Sequence, residues 1–293
     1  IIVTPGASGA LQLIIASLVD SGSQVLMADP GYPCNRNFVH LSEGEPVTVA
    51  VDADDDYQIN AGLIDRHWSD RAVAAMVASP SNPTGTQLDR QAMSSLVERV
   101  HGLGGHLIVD EIYQNLYYDR KPFTALSLSD DLFVINSFSK YFGMTGWRLG
   151  WLVAPEACVE ALERLAQNIF LAAPTPAQYA ALAAFEPETR KILEQRRLEF
   201  KQRRDYLLPA LRELGFVIPR APDGAFYLYA DCSRLSDDSF RFADELLETA
   251  GVAITPGIDF GHHRAAEHVR FAYTTSMEQL RLGVERIREF IQR

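Results

Sequence analysis

Lys140 is the only lysine between Lys121 and Lys191, and it sits in the stretch Ser137-Phe138-Ser139-Lys140-Tyr141-Phe142-Gly143-Met144-Thr145-Gly146-Trp147-Arg148-Leu149-Gly150. A lysine amine that loses its proton attacks carbonyls, whereas an arginine stays charged and forks onto phosphate. Held in one loop, the two suit a ligand that carries both a carbonyl and a phosphate. Lys140 would form the imine and Arg148 would grip the phosphate. Small residues around them, Ser137, Ser139, Gly143 and Gly146, would let a flat ligand approach the backbone. The competing reading is a surface lysine beside a solvated arginine. The apolar runs at 132–135 and 149–154 oppose it, because they read as buried strands that place the loop at a sheet edge.

Polar groups recur after apolar runs at 29–32, 79–82, 110–113 and 137–140, and folding alone does not require such residues in four separate turns. Tyr32 either packs on the sheet edge or stacks on a heteroaromatic ring. Asn82 lies in Ser79-Pro80-Ser81-Asn82-Pro83-Thr84-Gly85, which by itself is a turn and, with Pro83 in the middle position, no glycosylation acceptor. Asp110 opens Asp110-Glu111-Ile112-Tyr113. It is either a helix N-cap or a carboxylate that keeps a pyridine nitrogen protonated, which makes the ring an electron sink.

Two further places invite a ligand. Thr4-Pro5-Gly6-Ala7-Ser8-Gly9-Ala10 feeds a helix and is either an ordinary tight turn or an anion site built from free N–H groups. It has neither the Walker Gly-Lys-Ser/Thr nor the three-glycine dinucleotide spacing. Arg270 lies inside the apolar run His268-Val269-Arg270-Phe271-Ala272-Tyr273 and needs a partner, either an internal carboxylate or that of a ligand. The pair His262-His263 reads as a solvated loop, and no third ligand is spaced to make a metal site.

The elements that must position these groups follow from periodicity. Expected strands at 1–3, 24–28, 46–51, 72–78, 106–109 and 132–135 alternate with helices at 11–19, 63–68 and 88–101. That pattern argues for βαβ units and an α/β fold, a mostly parallel sheet sandwiched by helices. Beyond 154 the pattern changes to helices at 156–171 and 176–185 and a long charged helix at 187–214 that bridges two domains. A strand at 225–230 alternates as if one face were exposed. A helix at 240–251 closes on Gly251, a strand spans 268–273, and Ser276 caps a last helix. The expected organisation is a large domain over 1–190 and a smaller C-terminal α+β domain over 191–293.

With 293 residues, 47% apolar and 22% charged, the chain has the composition of a globular protein with a sizeable core. Its net charge of -11 offers no basic surface for nucleic acid. Cys34, Cys158 and Cys232 form neither a metal-ligand pattern nor a disulfide framework, so a reducing cytoplasm is the expectation. No apolar run is long enough to cross a membrane. The chain opens on Ile1-Ile2-Val3, which reads as strand interior with no initiator methionine, so a fragment or processed form is expected.

The stretch around Lys140 resembles the pyridoxal-phosphate attachment site of the class I/II aminotransferases, the fold-type I enzymes related to aspartate aminotransferase. The family pattern is small-x-small-Lys, then glycine, then Gly-x-Arg-apolar-Gly, and every position is matched. The resemblance runs from Thr4 to the last helix. It implies pyridoxal 5'-phosphate bound as an imine on Lys140, with its phosphate on the amides of Gly6, Ala7 and Ser8 and on Arg148, and with Ser137 and Ser139 also contacting the cofactor. It further implies Tyr32 stacked on the ring, Asn82 and Tyr113 on the phenolic oxygen, Asp110 on the ring nitrogen, and Arg270, aided by Asn82, on the substrate carboxylate. Glu111 reads as structural. The implied reaction moves an amino group between an L-amino acid and a 2-oxo acid, with Lys140 as general base and acid, in a homodimer. The family also carries an N-terminal segment ahead of this point that supplies substrate-pocket residues and a tyrosine reaching across the dimer. In some bacterial aspartate aminotransferases a lysine occupies the loop around Ser8 and reads the side-chain carboxylate, which speaks against aspartate specificity here. A fold-type I lyase or synthase would use the same cofactor residues. A transcription regulator's sensor domain would require a helix-turn-helix.

Overall fold

The protein, seen in a computed structural model that describes residues 1–292, begins with strand β1 (Ile2–Thr4) and helix α1 (Gly6–Leu18). Then come β2 (Gln24–Asp29), α2 (Cys34–Leu41), β3 (Glu45–Ala50), α3 (Ala61–His67), β4 (Ala72–Ala78), α4 (Arg90–Gly102), β5 (His106–Asp110), β6 (Phe133–Ser137) and β7 (Gly150–Val153). These strands form one seven-stranded sheet in the order β1-β7-β6-β5-β4-β2-β3. The run from β6 to β3 is parallel, while β7 is antiparallel to both β6 and β1. The continuous apolar strands are explained by their two covered faces. Leu26, Ala75, Val77, Leu107 and Val109 pack with Leu96 and Val100 of α4. The alternate residues Val25, Met27, Met76, Ile108, Phe133 and Ile135 pack with Leu11, Leu13 and Ile14 of α1.

This topology gathers the site. Parallel β2, β4, β5 and β6 end at the same rim, so the turns after Asp29, Ala78, Asp110 and Ser137 are neighbours. Gly150 pairs with both Ser137 and Thr4, which brings the start of β7 and the end of β1 to that rim as well. The loop residue Arg148 and the first turn of α1 thereby flank Lys140.

The rest of the described chain is α5 (Glu156–Ile169), α6 (Thr175–Ala183), α7 (Pro187–Glu213), β8 (Tyr227–Asp231), α8 (Ser239–Ala250), β9 (Thr255–Pro256), β10 (His268–Ala272) and α9 (Met277–Ile291). β8, β10 and β9 form an antiparallel three-stranded sheet. Its core joins Leu207, Leu208 and Leu211 of α7 with Leu228, Val269, Phe271, Leu246 and Val284. Gly251 adopts the left-handed conformation at the end of α8, and the Ser276 side chain accepts from the Gln279 amide at the start of α9, both as the sequence leads one to expect.

One expectation is corrected and one element is added. The strand near 225–230 does not show an exposed face: Tyr227, Leu228, Tyr229 and Ala230 are all buried. Leu228 and Ala230 face the helical core, while the tyrosines on the opposite side pack toward the large sheet, Tyr227 against Tyr113 and Tyr229 against Tyr57. α2 is also a helix that the sequence reading leaves unassigned. It has eight residues and no side-chain cap, so local signals are weak and packing of Val39 against the large core holds it.

Candidate active site

A cavity of about 310 Å³ opens at the rim, within the range that holds small-molecule ligands. Ala7, Ser8, Tyr32, Asn82, Asp110, Tyr113, Ser137, Ser139, Lys140, Arg148 and Arg270 all line it. Of the residues expected from the sequence only Gly6 lies outside the lining. It has φ +76°, and a Cβ there would stand 2.6 Å from Nη2 of Arg148. A side chain at Gly150 would collide with the backbone of Gly6, Ala7 and Asn136 at 2.7–2.8 Å. These two glycines let the end of α1 and the guanidinium close on one spot.

That spot is built for an anion. α1 starts after Pro5 with no side-chain cap and no acidic residue in its first turn, so its leading N–H groups stay free. Arg148, itself left-handed at φ 52°, donates from Nη1 to the Thr145 carbonyl at 2.9 Å. Ser137 Oγ accepts from the Ser139 amide at 3.0 Å and lies 3.0 Å from Ser139 Oγ. Thr145 Oγ1 donates to the Ser139 carbonyl at 2.6 Å, which ties the lysine loop to the arginine loop.

At the end of β5, Asp110 is buried and accepts one backbone bond, from Ile112 at 2.9 Å. Burial pushes its carboxyl up to about 6, with the Ile112 N–H and the Lys140 charge opposing that rise. Burial lowers the Lys140 amine, Asp110 opposes the drop, and Arg270 and Arg148 add to it. The amine therefore reaches its neutral, nucleophilic form more readily than an exposed lysine does. Lys140 Nζ stands 5.6 Å from the Tyr113 ring centre and 5.8 Å from that of Phe226. Glu111 accepts from the Ala125 amide at 2.7 Å and lies outside the cavity lining, in keeping with a structural role.

Arg270 arrives from the smaller sheet. Its Nη1 donates to Asn82 Oδ1 at 2.9 Å and its Nη2 to Thr255 Oγ1 at 3.2 Å. The guanidinium lies 4.3 Å from the Tyr227 ring centre and 4.7 Å from that of Phe260. Among the described residues no carboxylate is within ion-pair distance of it, and its buried Nε has no hydrogen-bond partner. The internal ion pair that competed with a ligand role in the sequence is thus not made. Because Asn82 Oδ1 is taken by Arg270, its amide nitrogen is the group free to donate.

The sequence did not point to Thr145, Tyr227 or Phe260. Thr145 lies in the motif itself and could have been found by its hydroxyl. Tyr227 meets Tyr113 and the Phe260 loop is tied to Asp29, both more than a hundred residues away in sequence, and neither residue carries a local signal. His262 and His263 face the large sheet by their backbone amides, which donate to buried Asp29 at 2.9–3.3 Å.

A rim lysine whose pKa burial lowers, a buried carboxylate, a free helix N-terminus beside one arginine and a second arginine with no carboxylate partner among the described residues define a class of enzyme in which a lysine works on anionic ligands. Comparison with known proteins sharpens it. The model of the family described as aminotransferase class I and II matches residues 1–287. A (5-formylfuran-3-yl)methyl phosphate transaminase of Methanocaldococcus jannaschii is 36% identical over 100% of this chain and 75% of its own length. A valine–pyruvate aminotransferase of Mycobacterium tuberculosis is 36% identical over 98% of this chain and 74% of its own. The structure of the Thermus thermophilus aspartate aminotransferase with maleate superposes with a TM-score of 0.92 at 32% identity, over 98% of this chain and 75% of that one. The chain belongs to the class I and II aminotransferases. It is an aminotransferase, moving an amino group between an amino acid and a 2-oxo acid, and a lyase or sensor-domain reading is set aside. It spans about three quarters of the length of these relatives.

Proposed function

We propose that this chain binds pyridoxal 5'-phosphate in the rim cavity and transfers the amino group there. The observation that carries the reading is Arg270, a cation with no carboxylate partner among the described residues, set beside the lysine in one cavity. The residues fit the cofactor. The first-turn amides of α1 at Gly6, Ala7 and Ser8, the hydroxyls of Ser137 and Ser139, and the Arg148 guanidinium would hold its phosphate. Asp110 would hold the proton on its ring nitrogen, the Asn82 amide and Tyr113 hydroxyl would donate to its phenolic oxygen, and Tyr32 would cover its ring. Lys140 would carry it covalently in the resting enzyme.

Bound pyridoxal phosphate supplies a conjugated sink for the electron pair released at the substrate Cα. The protein supplies the rest. Arg270 grips the α-carboxylate through both Nη atoms and so fixes which Cα bond faces Lys140. Once free, the Lys140 Nζ takes the Cα proton and later returns one as general acid. Asp110 would stay ionised beside the charge on the ring nitrogen, which would offset the burial that otherwise favours its neutral form.

We read the chain as two domains, 1–190 and 191–293, joined through α7 and supported by the separate cores of the two sheets. The homodimer and the cytoplasmic setting are likewise proposed, from the family and from three free cysteines. No described helix is long and apolar enough to cross a membrane.

Substituting Arg270 tests the reading. Arg270→Ala should cost about 2–5 kcal/mol of substrate binding, the scale for a buried charge pair that loses one member. Steady-state kinetics should show a raised KM for both amino acid and oxo acid, with Arg270→Lys only partly restoring it, since lysine lacks the fork. An Arg270→Ala enzyme with an unchanged KM would remove Arg270 from the substrate site.

A further inference from the structure

We infer that Tyr227 is a positioning residue that joins the cofactor end of the site to the substrate end: its hydroxyl supports Tyr113 and its ring holds Arg270. The inference rests on the pyridoxal phosphate reading and adds a residue that reading does not use.

The geometry comes from β8 and β10. Tyr227 pairs with Ala272 and Tyr229 with Arg270, so Tyr227 and Arg270 are diagonal neighbours across the antiparallel pair, within reach of an aromatic ring. The ring face lies 4.3 Å from the guanidinium carbon, with Phe260 at 4.7 Å. A guanidinium held against two aromatic rings loses freedom to turn, and each ring face attracts its charge. The other end of the same side chain crosses to the large sheet. Its hydroxyl lies 2.9 Å from that of Tyr113, and the two rings meet edge to face at 5.7 Å. Among the described residues Tyr113 is the only hydrogen-bond partner of this buried hydroxyl.

The direction of that bond follows from proton counting. Each phenol has one proton. If Tyr113 donates its proton into the cavity, its oxygen must accept in the 2.9 Å contact, and Tyr227 must be the donor. A hydroxyl that accepts a hydrogen bond donates more strongly. Tyr227 thus sets the direction and the strength of the Tyr113 donation, while its ring sets the plane of Arg270. The two functions belong to different atoms and can be separated by substitution.

Tyr227→Phe keeps the ring and removes the donor, whereas Tyr227→Leu removes both. The full chain is loaded with pyridoxal phosphate and its visible absorbance is titrated with pH for wild type, Tyr113→Phe, Tyr227→Phe, Tyr227→Leu and the double phenylalanine variant. Donation to the phenolic oxygen favours its anionic form, so weakening it moves the spectral midpoint to higher pH. For one neutral hydrogen bond the move should correspond to roughly a three- to tenfold change in the proton equilibrium. Tyr227→Phe should shift in the same direction as Tyr113→Phe, and in the Tyr113→Phe background it should add nothing. The KM of the amino acid that the wild type turns over should rise roughly tenfold more in Tyr227→Leu, which loses the ring on Arg270, than in Tyr227→Phe, which keeps it. A wild-type midpoint in Tyr227→Phe, while Tyr113→Phe moves, overturns the inference and leaves the cofactor reading intact. A Tyr227→Phe shift that persists in full without the Tyr113 hydroxyl also overturns it. A wild type with no visible band overturns the cofactor reading instead. Should Tyr227→Leu not fold, the two phenylalanine variants still decide.

Discussion

Asp110→Asn should make the cofactor-free chain more stable at alkaline pH while disabling it as an enzyme. The Asp110 carboxyl is pushed from 3.8 to about 6 by burial. Between those values the folded chain binds more protons at this position than the unfolded one, so stability falls as pH rises through the window. A rise of about two units corresponds to about 3 kcal/mol at about 1.4 kcal/mol per unit. The isosteric amide removes that ionisation and keeps an oxygen to accept from the Ile112 N–H. Urea denaturation at about pH 4 and about pH 8 checks this, because carboxylates that do not feel Asp110 titrate alike in both proteins and cancel, while Glu111, which the Asp110 charge helps to push up, adds a gain of the same sign. The variant should match wild type at the acid end and exceed it by about 3 kcal/mol at the alkaline end. A difference independent of pH, or a variant less stable at pH 8, would refute the claim that Asp110 is held ionised against its own burial. The cost is tolerated because the protonated ring nitrogen proposed opposite supplies the missing countercharge.

Two further substitutions probe the framework. Gly150→Ala drives a methyl group into the backbone of Gly6, Ala7 and Asn136, which cannot move aside as a flexible side chain would. It should cost about 1–3 kcal/mol in urea and weaken pyridoxal phosphate binding, measured by fluorescence titration; unaltered affinity would detach the α1 turn from the phosphate. Asp29→Ala strips the His262 and His263 amides of their acceptor and should cost about 1–3 kcal/mol. Hydrogen exchange should quicken at 260–263, the loop that carries Phe260 onto Arg270, and unchanged protection there would count against Asp29 as the tether.

What the sequence made legible was the rim. Apolar runs such as 72–78 and 132–135 admit few alternatives to buried strands, and a parallel sheet sends their following residues to one edge. Asn82, Asp110 and Lys140 were therefore readable as neighbours although they are far apart in the chain. Arg270, proposed here to hold the substrate carboxylate, was readable for the opposite reason, as a charge in an apolar strand. The clamp around it was not. Phe260 reaches Arg270 through a loop fixed by Asp29, more than two hundred residues earlier. The β8 face bearing Tyr227 and Tyr229 reads as exposed because tyrosines alternate there with Leu228 and Ala230. Its burial is decided by the approach of the larger sheet.

The most direct test of the account is the near-ultraviolet and visible absorbance of the purified chain with pyridoxal phosphate, beside Lys140→Ala, as amino acids are added one at a time. The account predicts an imine absorbance band in wild type, its conversion to the absorbance of the aminated cofactor by at least one amino acid, and no such band in Lys140→Ala. A band indifferent to Lys140, or none at all, would contradict the assignment of Lys140 as the residue around which the site is built.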